Sequence, residues 1–177
     1  FHIIDSGSNS TAAGLDGTGV RAFYDSTKGS MRGGNLIIGN NAWQDGQIGN
    51  ASFAWGALAE ASGLYSTAFG SSVTASGSSS AAFGTGSTAA GVASTAMGDV
   101  AIASGANTVA IGDTVTASAP NSVAIGREVI SNGQYSIGFG VGDATTGTFP
   151  EITGNNTAAF FFGDEESSNV TDTNVLA

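Results

Sequence analysis

A glycine recurs every 14 residues through the middle of this chain. This first series is Gly56, Gly70, Gly84, Gly98, Gly112, Gly126 and Gly140. A second series lies half a period later, at Gly63, Gly77, Gly91, Gly105, Gly133 and Gly147, with Ala119 in the one remaining position. Because glycine accepts the positive φ of tight turns, two glycines per 14 residues predict two short strands and two turns per unit. Repeats this short indicate a solenoid built from β-strands.

The residues before each glycine of the first series form three columns. The position directly before the glycine is large and apolar, the position two before it is alanine, and the position four before it is small and hydroxylic. Alternate side chains of a strand point to opposite faces, so the large column and the two small columns face opposite ways. The large column is Trp55, Phe69, Phe83, Met97, Ile111, Ile125 and Phe139, the alanine column is Ala54, Ala68, Ala82, Ala96, Ala110 and Ala124, and the hydroxyl column is Ser66, Ser80, Ser94, Thr108, Ser122 and Ser136.

The second strand of each unit has a different pattern. Thr74 and Ser76 alternate with Val73 and Ala75, which is typical of a strand with one face in water. The first strand has no such wet face, so one of its faces requires a cover from outside the coil. If the large residues fill the coil interior, the small columns form the contact with another copy of the chain, and the reverse arrangement is possible. Either arrangement predicts an oligomer.

Composition excludes several functional classes. A formal net charge of -10, with four Lys plus Arg, argues against nucleic-acid binding because no basic stripe is present. His2 is the single histidine and cysteine is absent, so we expect no histidine triad, no zinc site and no other metal or cofactor. No run of 18 apolar residues occurs, so we expect no membrane insertion by this segment. The sequence therefore predicts a protein without enzymatic activity.

Two units carry a family resemblance. NTVAIGDTVTASA (107–119) and NSVAIGREVISNG (121–133) resemble the Asn-Ser-Val-Ala-Ile-Gly repeat of YadA-like heads in trimeric autotransporter adhesins, and GLYSTAFGSSVTASG (63–77) resembles a variant of that repeat. The resemblance implies a left-handed parallel β-roll, three chains side by side, exposed on a cell or particle surface and used for attachment. Residues 23–56 are similar to lead-in segments of tail-fibre-type surface proteins.

The repeat boundaries divide the chain into three parts. We expect a capping segment at 1–49, a β-roll of seven 14-residue repeats at 50–147, and a C-terminal cap or extension arm at 148–177. Trp43 is expected to pack in the first cap. Phe160, Phe161 and Phe162 either close the stack or form an exposed docking edge.

These observations favour a non-enzymatic extracellular module that presents a polar surface for attachment. Its expected partners are further copies of itself and a surface receptor or matrix whose identity the sequence does not give. Two alternatives stay open, namely the subunit of a self-assembling extracellular filament joined through its terminal segments, and a segment of a phage tail fibre. The residues expected at the oligomer contact or in the core belong to the columns defined above: Ser66, Ala68, Phe69, Ala82, Phe83, Ala96, Met97, Ala110, Ile111, Ala124, Ile125 and Phe139.

Overall fold

The fold is an all-β parallel solenoid. The computed structural model describes residues 3–5, 19–36, 43–141, 150–162 and 169–170. A single 3-10 turn is described at Asp45–Gln47. The described strands are β1 (Ile3–Asp5), β2 (Gly19–Asp25), β3 (Ser30–Leu36), β4 (Phe53–Trp55), β5 (Glu60–Ala61), β6 (Thr67–Ser71), β7 (Thr74–Ala75), β8 (Ala81–Thr85), β9 (Thr88–Ala89), β10 (Thr95–Asp99), β11 (Ile102–Ala103), β12 (Val109–Asp113), β13 (Thr116–Ala117), β14 (Val123–Arg127), β15 (Ile130–Ser131), β16 (Ile137–Val141), β17 (Glu151–Ile152), β18 (Ala158–Phe162) and β19 (Asn169–Val170).

Each coil contributes one longer strand and one two-residue strand to two different sheets. The long-strand sheet has the order β1-β2-β3-β4-β6-β8-β10-β12-β14-β16-β18, and the short-strand sheet has the order β19-β17-β15-β13-β11-β9-β7-β5. Neighbouring strands are parallel except for the hairpin of β2 and β3. Six successive steps of 14 residues lead from Phe53 to Ile137, and the step to Ala158 is longer. The prediction of a parallel β-solenoid with 14-residue spacing is confirmed.

The pairing register places each residue on its equivalent in the next coil. Between β10 and β12, for example, Ala96 pairs with Ala110, Met97 with Ile111 and Gly98 with Gly112. Backbone hydrogen bonds also join neighbouring coils at the corners, and the amide of Val100 donates to the carbonyl oxygen of Thr85 at 2.9 Å. Every column of the sequence is therefore a line of side chains along the stack axis.

Small side chains fill the interior of the coil. The alanine column is fully buried from Ala54 to Ala124, and the hydroxyl column is buried with it. From the short-strand side, Val73, Ala75 and their equivalents close the same core. The large column points outward. Of the two arrangements that the sequence left open, the structure has the one with the small columns inside.

The glycines of the first series do not occupy the tightest turns. Gly98 lies inside β10 with a φ of 136°. A Cβ atom on Gly98 would overlap the carbonyl oxygen of Gly112 in the next coil. The left-handed corner residue comes two positions later, at Val100 with a φ of 52°, and the equivalent residues Ser72 and Thr114 have the same conformation. Close approach between coils therefore constrains these glycines more than turn geometry does.

Aromatic and charged side chains close the N-terminal end of the stack. Trp43 is buried against Phe23, with ring centroids 5.7 Å apart in an edge-to-face arrangement. Arg32 pairs with Ala54 and so continues the buried alanine column as a cation. Its Nη2 donates hydrogen bonds of 2.7 Å to Ser52 Oγ and to the carbonyl oxygen of Ala61. Burial lowers the pKa of Arg32 to about 10.

The last coil contains larger interior residues. Phe161 pairs with Gly140 and is buried, and Ile152 is fully buried beside it. Phe160 points outward and is 41% exposed. The two expectations for these phenylalanines therefore apply to different members, since Phe161 fills the core while Phe160 is on the surface. The boundary at 147 lies outside the described residues, and of the C-terminal residues after 162 only β19, which pairs with β17, is described.

Candidate functional site

The outward face of the long-strand sheet carries a continuous line of large apolar side chains. Phe69 is 51% exposed, Met97 42% and Phe139 37%, although apolar groups of this size are usually sheltered from water. The in-register pairing of the strands puts one such residue on each rung. We call this line the apolar ladder, and it comprises Phe69, Phe83, Met97, Ile111, Ile125, Phe139 and Phe160.

A second outward column widens the apolar surface. Each of its residues lies two positions before a member of the apolar ladder and therefore points to the same face. Its members change from Thr67, Ala81 and Thr95 to the wholly aliphatic Val109 and Val123 along the stack, and Ile137 continues the series with 38% exposure. The face is consequently most apolar over its C-terminal half.

The two ends of this face differ in their packing. At the C-terminal end, the rings of Phe139 and Phe160 stack with centroids 5.4 Å apart and an interplanar angle of 11°. At the N-terminal end, Trp55 lies over Gly33 of β3, where a Cβ atom would overlap its ring. Trp55 also stacks with Phe53 at 6.4 Å. The cap therefore shelters the first rung, while later rungs remain open.

The outward face of the short-strand sheet is more polar than that of the long-strand sheet. Thr74, Thr88 and Thr116 form one column that Ile102 and Ile130 interrupt, and Ser76 belongs to an exposed neighbouring column. This contrast with the long-strand sheet makes the coil amphipathic across its two sheets. The polar side is suited to face solvent or a soluble ligand, and the apolar side requires a cover.

Charged residues occur at the edge of the long-strand face. Asp99 and Asp113 are register partners at the ends of β10 and β12, and Arg127 continues their column. Arg127 Nε lies 3.7 Å from Asp113 Oδ2, and Arg127 Nη2 lies 3.6 Å from Glu128 Oε1. Pairs this exposed contribute little to stability. Within the described ranges, no three His, Asp or Glu side chains converge in a way that would hold a metal ion.

The site residues predicted from the sequence fall into a core group and an outward-facing group. The core group is Ser66, Ala68, Ala82, Ala96, Ala110 and Ala124. The outward-facing group is Phe69, Phe83, Met97, Ile111, Ile125 and Phe139. Only the surface group is brought together as one accessible feature. Arg32 was not singled out from the sequence, although its place two residues before a glycine matches that of the column alanines.

Comparison with protein families identifies the repeats. The profile of the YadA head domain repeat, which spans two copies, matches residues 48–72, 75–101, 89–114 and 103–128. These stretches are similar to YadA head domain repeats. The expected resemblance is confirmed, and the family is one of structural, adhesin-like surface modules. Curated protein sequences give no significant match to this chain.

The stretches that match the YadA head profile contain most residues of the apolar ladder. The matched residues include its members from Phe69 to Ile125, while Phe139 and Phe160 follow on further rungs of the same sheet. Within the described part of the chain, no helix has the length and apolar character needed to cross a bilayer. The candidate site is thus a surface of association, built by repetition of one coil.

Proposed function

We propose that this chain is a non-enzymatic structural and adhesive module of a cell or particle surface. In this proposal it is a left-handed β-roll head in which three copies stand side by side. The observation that carries the proposal is the apolar ladder, in which Phe69, Met97, Phe139 and Phe160 are exposed and the members between them are half-buried. An exposed apolar surface of this extent marks a contact with another macromolecule.

A further copy of the same chain is the occupant that fits the apolar ladder. Seven rungs at a spacing of about 4.8 Å form a straight stripe roughly 29 Å long. A straight partner whose side chains repeat at the same spacing can contact every rung of the apolar ladder in the same way. A second copy of this solenoid has that spacing. Closed symmetric assemblies are also the usual outcome when a chain binds itself.

The adhesive part of the proposal depends on the opposite face. When copies pack through their long-strand sheets, the short-strand sheets with Thr74, Thr88 and Thr116 remain outside. This outer surface is polar and periodic, and the net charge of -10 keeps it soluble. It is the surface that would meet a receptor or matrix.

The association is tested by measuring the mass of the protein in solution. We expect a discrete trimer for the natural sequence and a monomer for Ile111→Asp, because the substitution places a charge in the covered face. Ser76→Asp on the short-strand face serves as the matched control and should remain trimeric. A natural sequence that is monomeric at micromolar concentration contradicts the proposal, and open-ended polymers support the filament alternative instead. Adhesion is then measured as binding of the trimer to immobilised matrix proteins, with Ile111→Asp as the comparison.

A further inference from the structure

Asn132 belongs to a column that otherwise contains small side chains. The column lies on the outward side of the short-strand sheet, and its members on earlier rungs are Ser62, Ser76, Ala90, Ser104 and Ser118. Asn132 and Gly133 form the one Asn-Gly pair of the sequence. In water, asparagine followed by glycine loses ammonia faster than asparagine followed by a larger residue. Glycine has no side chain to hinder the approach of its backbone nitrogen to the asparagine amide.

The fold itself requires a glycine after Asn132. Gly133 is buried, and a Cβ atom on it would lie 1.9 Å from the carbonyl oxygen of Gly154 in the next coil. No larger residue fits there unless the backbone moves. The Asn132 side chain, in contrast, is exposed to water. The close approach of the coils therefore keeps a chemically labile pair at this corner.

In the intact coil, hydrogen bonds hold both reacting groups. The backbone amides of Asn132 and Gly133 donate to the carbonyl oxygen of Ile152 at 2.8 and 2.9 Å. The side-chain amide of Asn132 donates to Glu151 Oε1, and its oxygen accepts from the hydroxyl of Ser118. Three of these four bonds are made to β17. Separation of β15 from β17 consequently releases the Gly133 nitrogen and the Asn132 amide together.

The junction between β15 and β17 is expected to open more readily than the regular junctions. The step from Ile137 to Ala158 is longer than 14 residues, so a longer connection joins β16 to β17. A longer connection costs more conformational entropy to close. Each coil of a solenoid contacts only its neighbours, which allows local opening while the other coils stay folded.

We propose that Asn132 is a site of self-modification whose reaction is gated by opening of the β15–β17 junction. In the open junction, the backbone nitrogen of Gly133 attacks Asn132 Cγ and loses its proton. The Cγ–Nδ2 bond breaks, and Nδ2 takes up the proton and leaves as ammonia, which yields a cyclic succinimide. Water then opens the ring to aspartate or isoaspartate, and nothing is oxidised or reduced. This inference concerns the single chain and does not depend on the association proposed above.

Either product prevents the junction from closing as before. Aspartate at 132 places a carboxylate where the amide donated to Glu151, so two like charges meet. Isoaspartate also adds a methylene group to the backbone, which moves the Gly133 nitrogen away from the carbonyl oxygen of Ile152. The reaction thus acts as a one-way chemical timer that loosens the coils from β17 onward.

The gating is tested by peptide mapping of isoaspartate at Asn132 during incubation of the folded protein. The variant Ile152→Ala removes a fully buried side chain at the junction, and the matched control Val73→Ala removes one near the N-terminal end of the stack. We expect Ile152→Ala to react roughly tenfold faster or more, because it raises the population of the open junction. The milder Ile152→Val should raise the rate about threefold. Val73→Ala should react at the rate of the natural protein.

The rates distinguish the outcomes. Equal acceleration by the substitutions at 152 and 73 would mean that the whole stack must unfold, and it overturns the gating. A folded natural protein that reacts as fast as the urea-unfolded chain overturns it as well. Absence of the reaction in the unfolded chain removes the site itself.

The effect of the product is measured by hydrogen exchange of the amides in β17 and β18. Asn132→Asp, which reproduces the aspartate product, should exchange about tenfold faster than the natural protein in these strands. Asn132→Ser is the control, since serine occupies this column on earlier rungs and cannot lose ammonia. It should exchange more slowly than Asn132→Asp. Equal exchange in the two variants overturns the timer.

Discussion

The hydroxyl group of Ser94 donates a 2.7 Å hydrogen bond to the carbonyl oxygen of Gly91, three residues earlier in the same coil. Thr108 makes the same bond to Gly105 at 2.7 Å, and Ser122 makes it to Ala119. The hydroxyl of Ser80 occupies the same column and has no hydrogen-bond partner among the described residues. The hydroxyl column thus contains buried hydroxyl groups that donate a hydrogen bond and one, that of Ser80, that has no partner among the described residues.

This difference predicts opposite effects of two alanine substitutions. Ser94→Ala removes the side-chain hydrogen bond to the Gly91 carbonyl, which keeps only the 3.2 Å bond from the Ser94 amide, and should lower the free energy of unfolding by about 1 kcal/mol. Ser80→Ala removes an unpaired buried hydroxyl and should be neutral or stabilising. Chemical denaturation of both variants at matched protein concentration measures the effect. Equal losses in the two variants would contradict the assignment.

Gly98→Ala should be among the most damaging single substitutions in the stack. The added methyl group would overlap the carbonyl oxygen of Gly112, and the φ of 136° at Gly98 is unfavourable for alanine. We expect a loss of about 3 kcal/mol or more from the free energy of unfolding. Gly46→Ala is the control, since a Cβ atom there meets nothing within 4 Å. Thermal unfolding should separate the two variants clearly, and a Gly98→Ala protein as stable as the control would refute the close-approach explanation.

Val100→Asn should stabilise the protein. Val100 is a β-branched residue with a φ of 52°, in a conformation that asparagine tolerates far better. The expected gain is about 1 kcal/mol, seen as a rise of a few degrees in Tm. Val92 is also exposed, at 57%, but has no positive φ, so Val92→Asn should give no gain. A similar change in Tm for both variants would show that surface polarity, rather than backbone conformation, is responsible.

Arg32→Met should destabilise the N-terminal cap by no more than about 1 kcal/mol, while Arg32→Ala should cost about 3 kcal/mol. Methionine fills the volume and removes a buried charge, whereas alanine leaves a cavity. Since burial lowers the pKa of Arg32 to about 10, its charge is present in both folded and unfolded chains well below pH 10. The contribution of Arg32 to stability rises with pH only from about pH 10 upward, where the unfolded chain binds more protons than the folded chain.

The pH dependence of the arginine variants follows from that window. Between pH 5 and pH 9 the difference in free energy of unfolding between the natural protein and Arg32→Met should be constant. Urea denaturation at several pH values measures this difference. A slope within that range would mean that the titration of another group depends on Arg32.

The period, the two strands per coil and the columns were predictable because they depend only on repetition and strand alternation. The inner face was harder to assign, since apolar phenylalanine and small alanine are both suited to a core. The hydroxyl-to-carbonyl bonds, such as that of Ser94 to Gly91, favour the small columns inside, because they satisfy the buried hydroxyl groups within the coil. A serine or threonine three residues after a glycine was the sequence signal for those bonds.

The caps were less accessible to sequence reasoning. Arg32 joins the alanine column only because the hairpin of β2 and β3 reverses direction and presents it beside Ala54. The distance in sequence between these two residues does not match the 14-residue period. Phe161 likewise takes the position that a glycine has in the regular coils, because the step from Ile137 to Ala158 is longer than 14 residues. Irregular spacing hides such positions from a periodic pattern.

Neighbouring coils are held to each other by hydrogen bonds that run along the stack, and each coil touches only the coils above and below it. When the chain is held at one end and pulled at the other, its coils are consequently expected to unfold one after another, each while the next coil stays folded. Each turn lengthens the tether by the contour of 14 residues, about 45 Å. A chain that unfolds coil by coil in this way would lengthen in steps under tension instead of losing its whole fold at once.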